Sequence, residues 1–364
     1  MKIIDRYIIR KFLGTLAFML VLLSVIVVVI DVQSKAPRIE NNGYTVGYFL
    51  LHYYPYWMVY LIITFMSILV FISVIFFTSR MANNTEIVAV VSSGASFHRF
   101  ARPYFITSLL LAVMAFFINH YGLPRANVKK NKLEAYVGTE RKKQALEGDV
   151  EIATKLTPDT YLFIFNYNRK SERGTGMLWQ KFDKNGKLLH QISANDIYWE
   201  PQKQRFVLSN FYERKAGEKD TQIISDGDTK MLDFGRPPKE LFPDELSAQS
   251  KTTPELRSFI REEKLKGNGN LTTNYIELYQ RTSMPVSIII LSVLALSLSS
   301  QKKRGGLGVN LAIGIALAFV FIFSFEALKV VAEHNTIPPM LAMWLPNIVF
   351  APVAFYLYWK RANQ

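Results

Sequence analysis

Phe12-Leu-Gly-Thr-Leu-Ala-Phe-Met-Leu-Val-Leu-Leu-Ser-Val-Ile-Val-Val-Val-Ile30 contains no charged side chain. A helix needs about 20 predominantly apolar residues to cross a hydrocarbon core of roughly 30 Å, because backbone amides in lipid must bond within their own segment. The run meets that length, so the chain is expected to be an integral membrane protein. It exceeds the roughly 7 to 15 apolar residues of a signal-peptide core, and no small-x-small cleavage site precedes Asp31. It therefore reads as a retained helix.

Five further runs of the same kind follow. Tyr53 to Thr78 enters through Tyr53, Tyr54, Tyr56, Trp57 and Tyr60, residue types favoured at the headgroup level. Tyr104 to Leu123 precedes a long polar stretch, and Ser283 to Ser299, Val309 to Leu328 and Met340 to Tyr358 come after it. With their flanks, the spans are expected at 12–32, 53–78, 103–123, 277–300, 308–332 and 339–360. Residues 1–124 and 275–364 then form two membrane halves around an insert at 125–274. Averages hide this division. A chain of 364 residues with 50% hydrophobic content and a mean hydropathy of +0.12 would also suit an apolar water-soluble protein.

Short loops rich in Lys and Arg mark the cytoplasmic side. Lys2, Arg6, Arg10 and Lys11 open the chain, Arg80, Arg99 and Arg102 flank the second loop, Lys302, Lys303 and Arg304 lie between the fourth and fifth spans, and Lys360 and Arg361 close it. All fall on one side of a six-span protein, which puts both termini in the cytoplasm and exports the insert. The net charge of +14 is then a topology signal plus a basic exported domain, which argues against a nucleic-acid partner.

The insert has β character. Tyr161 to Tyr167, Gly176 to Phe182, Lys187 to Ile192, Asp196 to Glu200 and Arg205 to Tyr212 are short runs rich in aromatic and β-branched residues. Asp183-Lys-Asn-Gly186 and Glu200-Pro-Gln-Lys-Gln204 read as the turns between them, and the spacing suggests a sandwich, barrel or jelly roll. With no cysteine, the domain must be held by its core alone. Asp233 to Ser250 reads as a connector, and a short amphipathic helix is expected from Thr253, with Thr253 as its cap.

Residues that carry chemistry are sparse. There is no phosphate-binding loop, no G-x-S-x-G elbow and no paired spacing among His52, His98, His120, His190 and His334, so neither a metal nor a cofactor is expected. Asp183-Lys-Asn-Gly and Asp226-Gly-Asp resemble calcium loops only faintly and read as hairpin turns. Between the second and third spans, Thr85 is placed to cap a helix over 84–94, with Glu86 in its first turn and Gly94 at its end. Ile87, Val88, Val90 and Val91 make that helix either a plug for a groove on a cytosolic partner or a helix lying on the bilayer.

The chain as a whole resembles the lipopolysaccharide-export permeases of the LptF/LptG type. The likeness rests on Asp5-Arg6-Tyr7-Ile8, the segment Glu86 to Gly94, Glu277-Leu-Tyr-Gln-Arg281 leading to Pro285, and Lys303-Arg-Gly-Gly-Leu-Gly308. Gly308-Val, Gly314-Ile, Phe319-Val-Phe, Ile337-Pro-Pro339 and Leu345-Pro346 lean towards LptG. The resemblance implies an α+β membrane protein with a periplasmic β-jellyroll between three and three transmembrane helices. It also implies a non-catalytic permease of the inner membrane that extracts lipopolysaccharide and passes it towards the outer membrane. Implied partners are a second LptF/LptG-type permease, two copies of an LptB-like cytosolic ATPase, and LptC-like and LptA-like jellyroll proteins. Glu86, Ile87, Val90, Val91 and Gly94 would belong to the ATPase-coupling helix.

Lys35 and Arg38, just beyond the first span, are suited to the phosphates of a lipid headgroup, and Arg281 is a further candidate. The competing reading of Lys35 and Arg38 is interfacial anchoring, and Ser34 stands where another lysine is expected by resemblance. Three alternatives compete for the whole chain. A mechanotransmission permease would carry its soluble domain after the first of four spans. A membrane enzyme acting on envelope lipids would use a cluster such as Asp31, Glu40 and His52, and a sensory or structural membrane protein would differ in its partners.

Overall fold

The computed structural model describes residues 3–137, 149–216, 222–242, 247–265, 271–301 and 306–363. It divides into two compact units, one comprising Met1–Ala36, Thr45–Lys130 and Thr272–Gln364, the other Pro37–Tyr44 and Asn131–Leu271. The second unit thus takes a short piece of the N-terminal half along with the insert.

Before the insert, α1 (Ile3–Asn41) is followed by α2 (Val46–His52), α3 (Tyr54–Asn83), α4 (Glu86–Ser92), α5 (Phe97–Phe117) and α6 (Leu123–Val137), the last residues of α1 and α6 belonging to the second unit. Among the described residues, six helices are long and apolar enough to span a membrane. They include α1, α3, and α5 with its continuation into α6. The first and third exceed the apolar runs that announce them. α1 carries on past the membrane edge partly because Asp31 and Lys35 pair at i, i+4, 2.8 Å apart. Between α5 and α6, one π-helical turn at Ile118–Gly122 keeps the helix unbroken. Pro124 has no amide hydrogen to give the carbonyl four residues back, and its ring collides with that carbonyl; a widened turn accommodates both problems.

Helices in lipid gain nothing from exchanging one apolar contact for another, so close packing and shared hydrogen bonds hold them together. Here α3 and α5 share the Thr78 and Tyr104 hydroxyls at 3.0 Å. The three helices after the insert are α8 (Thr272–Ser299), α9 (Gly306–Glu333) and α10 (Pro339–Ala362). Ser67 of α3 donates to the Met284 carbonyl of α8 at 3.2 Å. Asn347 of α10 accepts from Ser287 and donates to the Ser283 carbonyl, each at 2.8 Å. Gly314 lets α9 approach α3, since a Cβ there would stand 2.3 Å from Ile75 Cδ1.

The second unit holds one antiparallel sheet. Its strands are β1 (Asp149–Thr157), β2 (Thr160–Asn168), β3 (Arg173–Phe182), β4 (Leu188–Glu200), β5 (Arg205–Ala216) and β6 (Gln222–Leu232), paired in chain order. Among the described residues, then, the inserted β domain is a six-stranded meander. Its inner face buries Leu162, Ile164, Met177, Ile192, Ile197, Phe206 and Leu208, with Leu241 and Phe242 of the connector closing on them. The 13-residue helix α7 (Thr253–Leu265) follows.

Three local expectations need correction. Lys187–Ile192 and Asp196–Glu200 form one long strand, β4, because both of its neighbours pair along it on either side of Ala194. Asp226-Gly227-Asp228 is no turn but the middle of β6. Gly227 is there because a Cβ would meet the Phe211 ring of β5 at 2.8 Å. Thr252, not Thr253, caps α7, and the Glu255 carboxylate accepts from the Thr252 amide at 2.8 Å in a capping-box contact. The Asp183–Gly186 hairpin is as expected: Asp183 Oδ1 accepts from the amides of Asn185 and Lys187 at 2.8 Å, and Gly186 has φ +82°.

Candidate functional site

Two sites lie at opposite ends of α1, roughly 45 Å apart at a rise of about 1.5 Å per residue. At the Lys35 end, Tyr53, Tyr56, Trp57 and Tyr60 recur at i, i+3, i+4 and i+7 across the start of α3, which puts them on one face. Three lysines meet that face. The Lys35 ammonium lies 5.1 Å from the Tyr53 ring centre and 5.6 Å from that of Trp57, and it donates to the Tyr53 hydroxyl at 3.2 Å. Lys129 stands 5.0 Å over Tyr56 and donates to its hydroxyl at 3.1 Å. Lys130, buried, sits 4.5 Å over Tyr60.

Each ring offers its negative face to a cation, so the ladder holds three ammonium groups together that would otherwise repel. Asp31 supplies a carboxylate, 2.8 Å from Lys35 and 2.9 Å from the Tyr54 hydroxyl that donates to it. Lys35 is thus half-enclosed and already paired. Arg38, exposed, belongs to the other compact unit. Arg281 is buried in α8 against Glu277, with 2.9 Å between Nε and Oε1, rather than open on a surface. Sequence reading missed Lys129 and Lys130, because only tertiary packing sets them against residues some 70 positions earlier.

At the other end of α1 lies α4. Thr85 precedes it at φ +61°, a left-handed conformation that costs a β-branched residue on the order of 1 kcal/mol, and its side chain makes no cap contact. Gly94 closes the segment at φ +86°. Ile87 is buried in the helical core and Val90 packs against it, whereas Val88 and Val91 are 58% and 43% exposed. The outward apolar face of α4 therefore belongs to Val88 and Val91. Glu86 is held from both sides: Tyr7 of α1 donates to Oε2 at 2.9 Å and Asn84 to Oε1 at 3.3 Å.

The sheet carries a third charged cluster. Glu213 on β5 is buried and meets His190 at 2.6 Å, Lys215 at 3.1 Å and Lys230 more closely still. Burial by itself would raise the Glu213 pKa, but hydrogen bonds from Lys230, Lys215 and His190 hold it down to about 2.

Asp31 and His52 do not form the catalytic cluster considered from sequence. Asp31 is engaged by Lys35 and Tyr54, and His52 stacks on Tyr48 at 4.2 Å and bonds its carbonyl. Among the described residues, no group of three or more His, Cys, Asp or Glu side chains is placed to hold a metal ion.

The family model described as lipopolysaccharide export system permease LptF/LptG matches residues 6–360. The chain belongs to the LptF/LptG permease family. No curated protein matches it. Membership makes the six apolar helices and inserted antiparallel sheet those of a multi-pass lipopolysaccharide-export permease of the inner membrane. The opening Asp5-Arg6-Tyr7 stretch, singled out by resemblance, contributes two of the polar contacts of this permease: Tyr7 to Glu86, and Asp5 to Arg99 through two bonds of 2.8 Å.

Proposed function

We propose that this LptF/LptG permease is the membrane subunit of an ABC-type exporter that extracts lipopolysaccharide from the inner membrane and passes it through its periplasmic sheet domain towards a bridge to the outer membrane. ATP is hydrolysed by a separate cytosolic subunit, present in two copies, and α4 docks into it. The observation that carries this reading is α4 itself: a short helix between two spans, anchored inward by Ile87 and presenting Val88 and Val91 outward. The excess of Lys and Arg in the short loops and terminal segments supports a cytoplasmic position for α4 and both termini and a periplasmic one for the sheet.

The lysine ladder supports an anionic lipid as cargo. Ammonium groups at a membrane edge give charge-assisted hydrogen bonds to headgroup phosphates, and the aromatic face beneath them suits the boundary between sugar and acyl chain. Its partners in this reading are a second LptF/LptG-type permease and LptC-like and LptA-like periplasmic proteins. The spacing of Gly308, Gly314, Ile337-Pro-Pro339 and Leu345-Pro346 favours the LptG role.

The test is co-purification of the tagged permease from detergent-solubilised membranes, comparing the parent with Val88→Glu/Val91→Glu. The parent should bring down an ABC ATPase and a second permease, identified by mass spectrometry, with ATP hydrolysis responsive to lipopolysaccharide. The double variant should lose the ATPase and keep the second permease. An ATPase that stays with the variant, or never accompanies the parent, overturns the docking assignment.

A further inference from the structure

Arg99 occupies the first turn of α5, where Ser96 accepts its amide at 3.2 Å. A cation is misplaced there, because the helix N-terminus is itself positive. Asp5 resolves the conflict by gripping the guanidinium with both carboxylate oxygens, at 2.8 Å each. The Asp5 side chain is only 7% exposed, so it needs a partner as much as Arg99 does. Tyr7, half a turn along α1, reaches Glu86 in the first turn of α4. Two polar links therefore join the start of α1 to the two helices that flank the loop at Gly94.

What lies beyond these links gives them meaning. Ile8, Phe12 and Leu16 bury one stripe of α1 against the helical core, and the Phe12 ring lies tilted beside those of Phe77 and Tyr104. From Phe18 to Ile30, most large side chains face away from the chain. Only 11% of the most apolar stretch of α1 is buried, against 61% for α8. At its far end, Asp31 and Lys35 again fasten α1, this time to Tyr53 and Tyr54. α1 is tied by polar contacts at each end, seated on the core from Ile8 to Leu16 and loosely packed from Phe18 to Ile30, so a shift of its seated end can be carried along the helix to Lys35 with little repacking on the way.

We propose that Asp5–Arg99 and Tyr7–Glu86 form a latch through which α1 transmits the state of the docking helix to the Asp31–Lys35 site. This rests on the assignment of α4 as the docking helix. In it, Asp5, Tyr7 and Arg99 are positioning residues, acting through α1 to set how much lipid moves per ATP.

The experiment uses the whole complex, permease pair with ATPase, in proteoliposomes loaded with lipopolysaccharide. Three quantities are read for each variant: ATPase recovered, ATP hydrolysis rate, and lipopolysaccharide delivered to a soluble periplasmic acceptor. Asp5→Asn, Arg99→Ala and Tyr7→Phe should retain the ATPase and its hydrolysis within about twofold, while lipid delivered per ATP falls about tenfold for the ion-pair variants and less for Tyr7→Phe. The exchanged pair Asp5→Arg/Arg99→Asp should recover most of the ratio, which a merely unfolded helix would not. An unchanged ratio, or hydrolysis and delivery falling together with no recovery in the exchanged pair, overturns the latch. Retention of the ATPase by Val88→Glu/Val91→Glu would instead remove the docking assignment, so the two failures are told apart.

Discussion

The Lys35 ammonium lies 2.8 Å from Asp31 Oδ2, and the Tyr54 hydroxyl donates to the same carboxylate oxygen at 2.9 Å. In the proposed cargo site, a lipid phosphate that reaches Lys35 has to compete with Asp31 for it. Replacing Lys35 with Glu would put two carboxylates at i, i+4 against an aromatic face that repels them. Lipopolysaccharide delivery should fall at least about tenfold in Lys35→Glu while the permease still assembles. Normal delivery by an assembled variant would remove Lys35 from the cargo site.

Asp31→Asn acts in the opposite sense. It releases Lys35 from an intramolecular pair worth about 1 kcal/mol at a half-enclosed position, so affinity for lipopolysaccharide in detergent should rise about fivefold. Weaker binding would mean that Asp31 positions Lys35 rather than competing for it.

Lys129 and Lys130 are expected to share the cargo's charge. Lys129→Ala removes an exposed ammonium and should weaken lipopolysaccharide binding about threefold, with the loss shrinking as salt is raised. Lys130→Met fills the same buried space without charge and should leave helix packing intact while lowering affinity by a similar factor. Equal effects on a neutral glycolipid would assign both lysines to packing alone.

In the sheet, acid should loosen β4, β5 and β6 together. The folded-state pKa of Glu213 lies near 2, below its ordinary value of 4.5, so its contribution is fully present above that ordinary value and is lost as pH falls from about 4.5 towards 2. The full shift corresponds to about 3 kcal/mol, and about 2 kcal/mol is expected because Lys215 is half exposed. Hydrogen exchange of the β4 and β5 amides, compared between the parent and Glu213→Gln, should show this margin at pH 6 and none at pH 2. A margin independent of pH would discount the ion cluster.

Gly314→Leu tests the contact of α9 with α3. A side chain there meets Ile75 at 2.3 Å, and overpacking of this kind costs about 1 to 3 kcal/mol. Thermal unfolding of the detergent-solubilised permease should shift down, and Ile75→Ala in the same chain should restore part of the loss.

The sequence by itself determined the class of protein and the number and order of its spans. Length and apolarity decide whether a helix can cross lipid, and both are properties of a segment alone. The same holds for the hairpin at Asp183–Gly186, whose turn chemistry is local. What only the tertiary structure decided are relations between distant segments. Gly227 reads as a turn residue until Phe211 of the neighbouring strand explains it, and Ile87 reads as docking surface until its burial in the helical core is seen. The lysine ladder, the reach of Tyr7 to Glu86 and the grip of Asp5 on Arg99 likewise join residues tens of positions apart. A charge shows its sign in the sequence, but its partner is chosen by packing, and it is the partner that decides whether a cation anchors, pairs or waits for cargo.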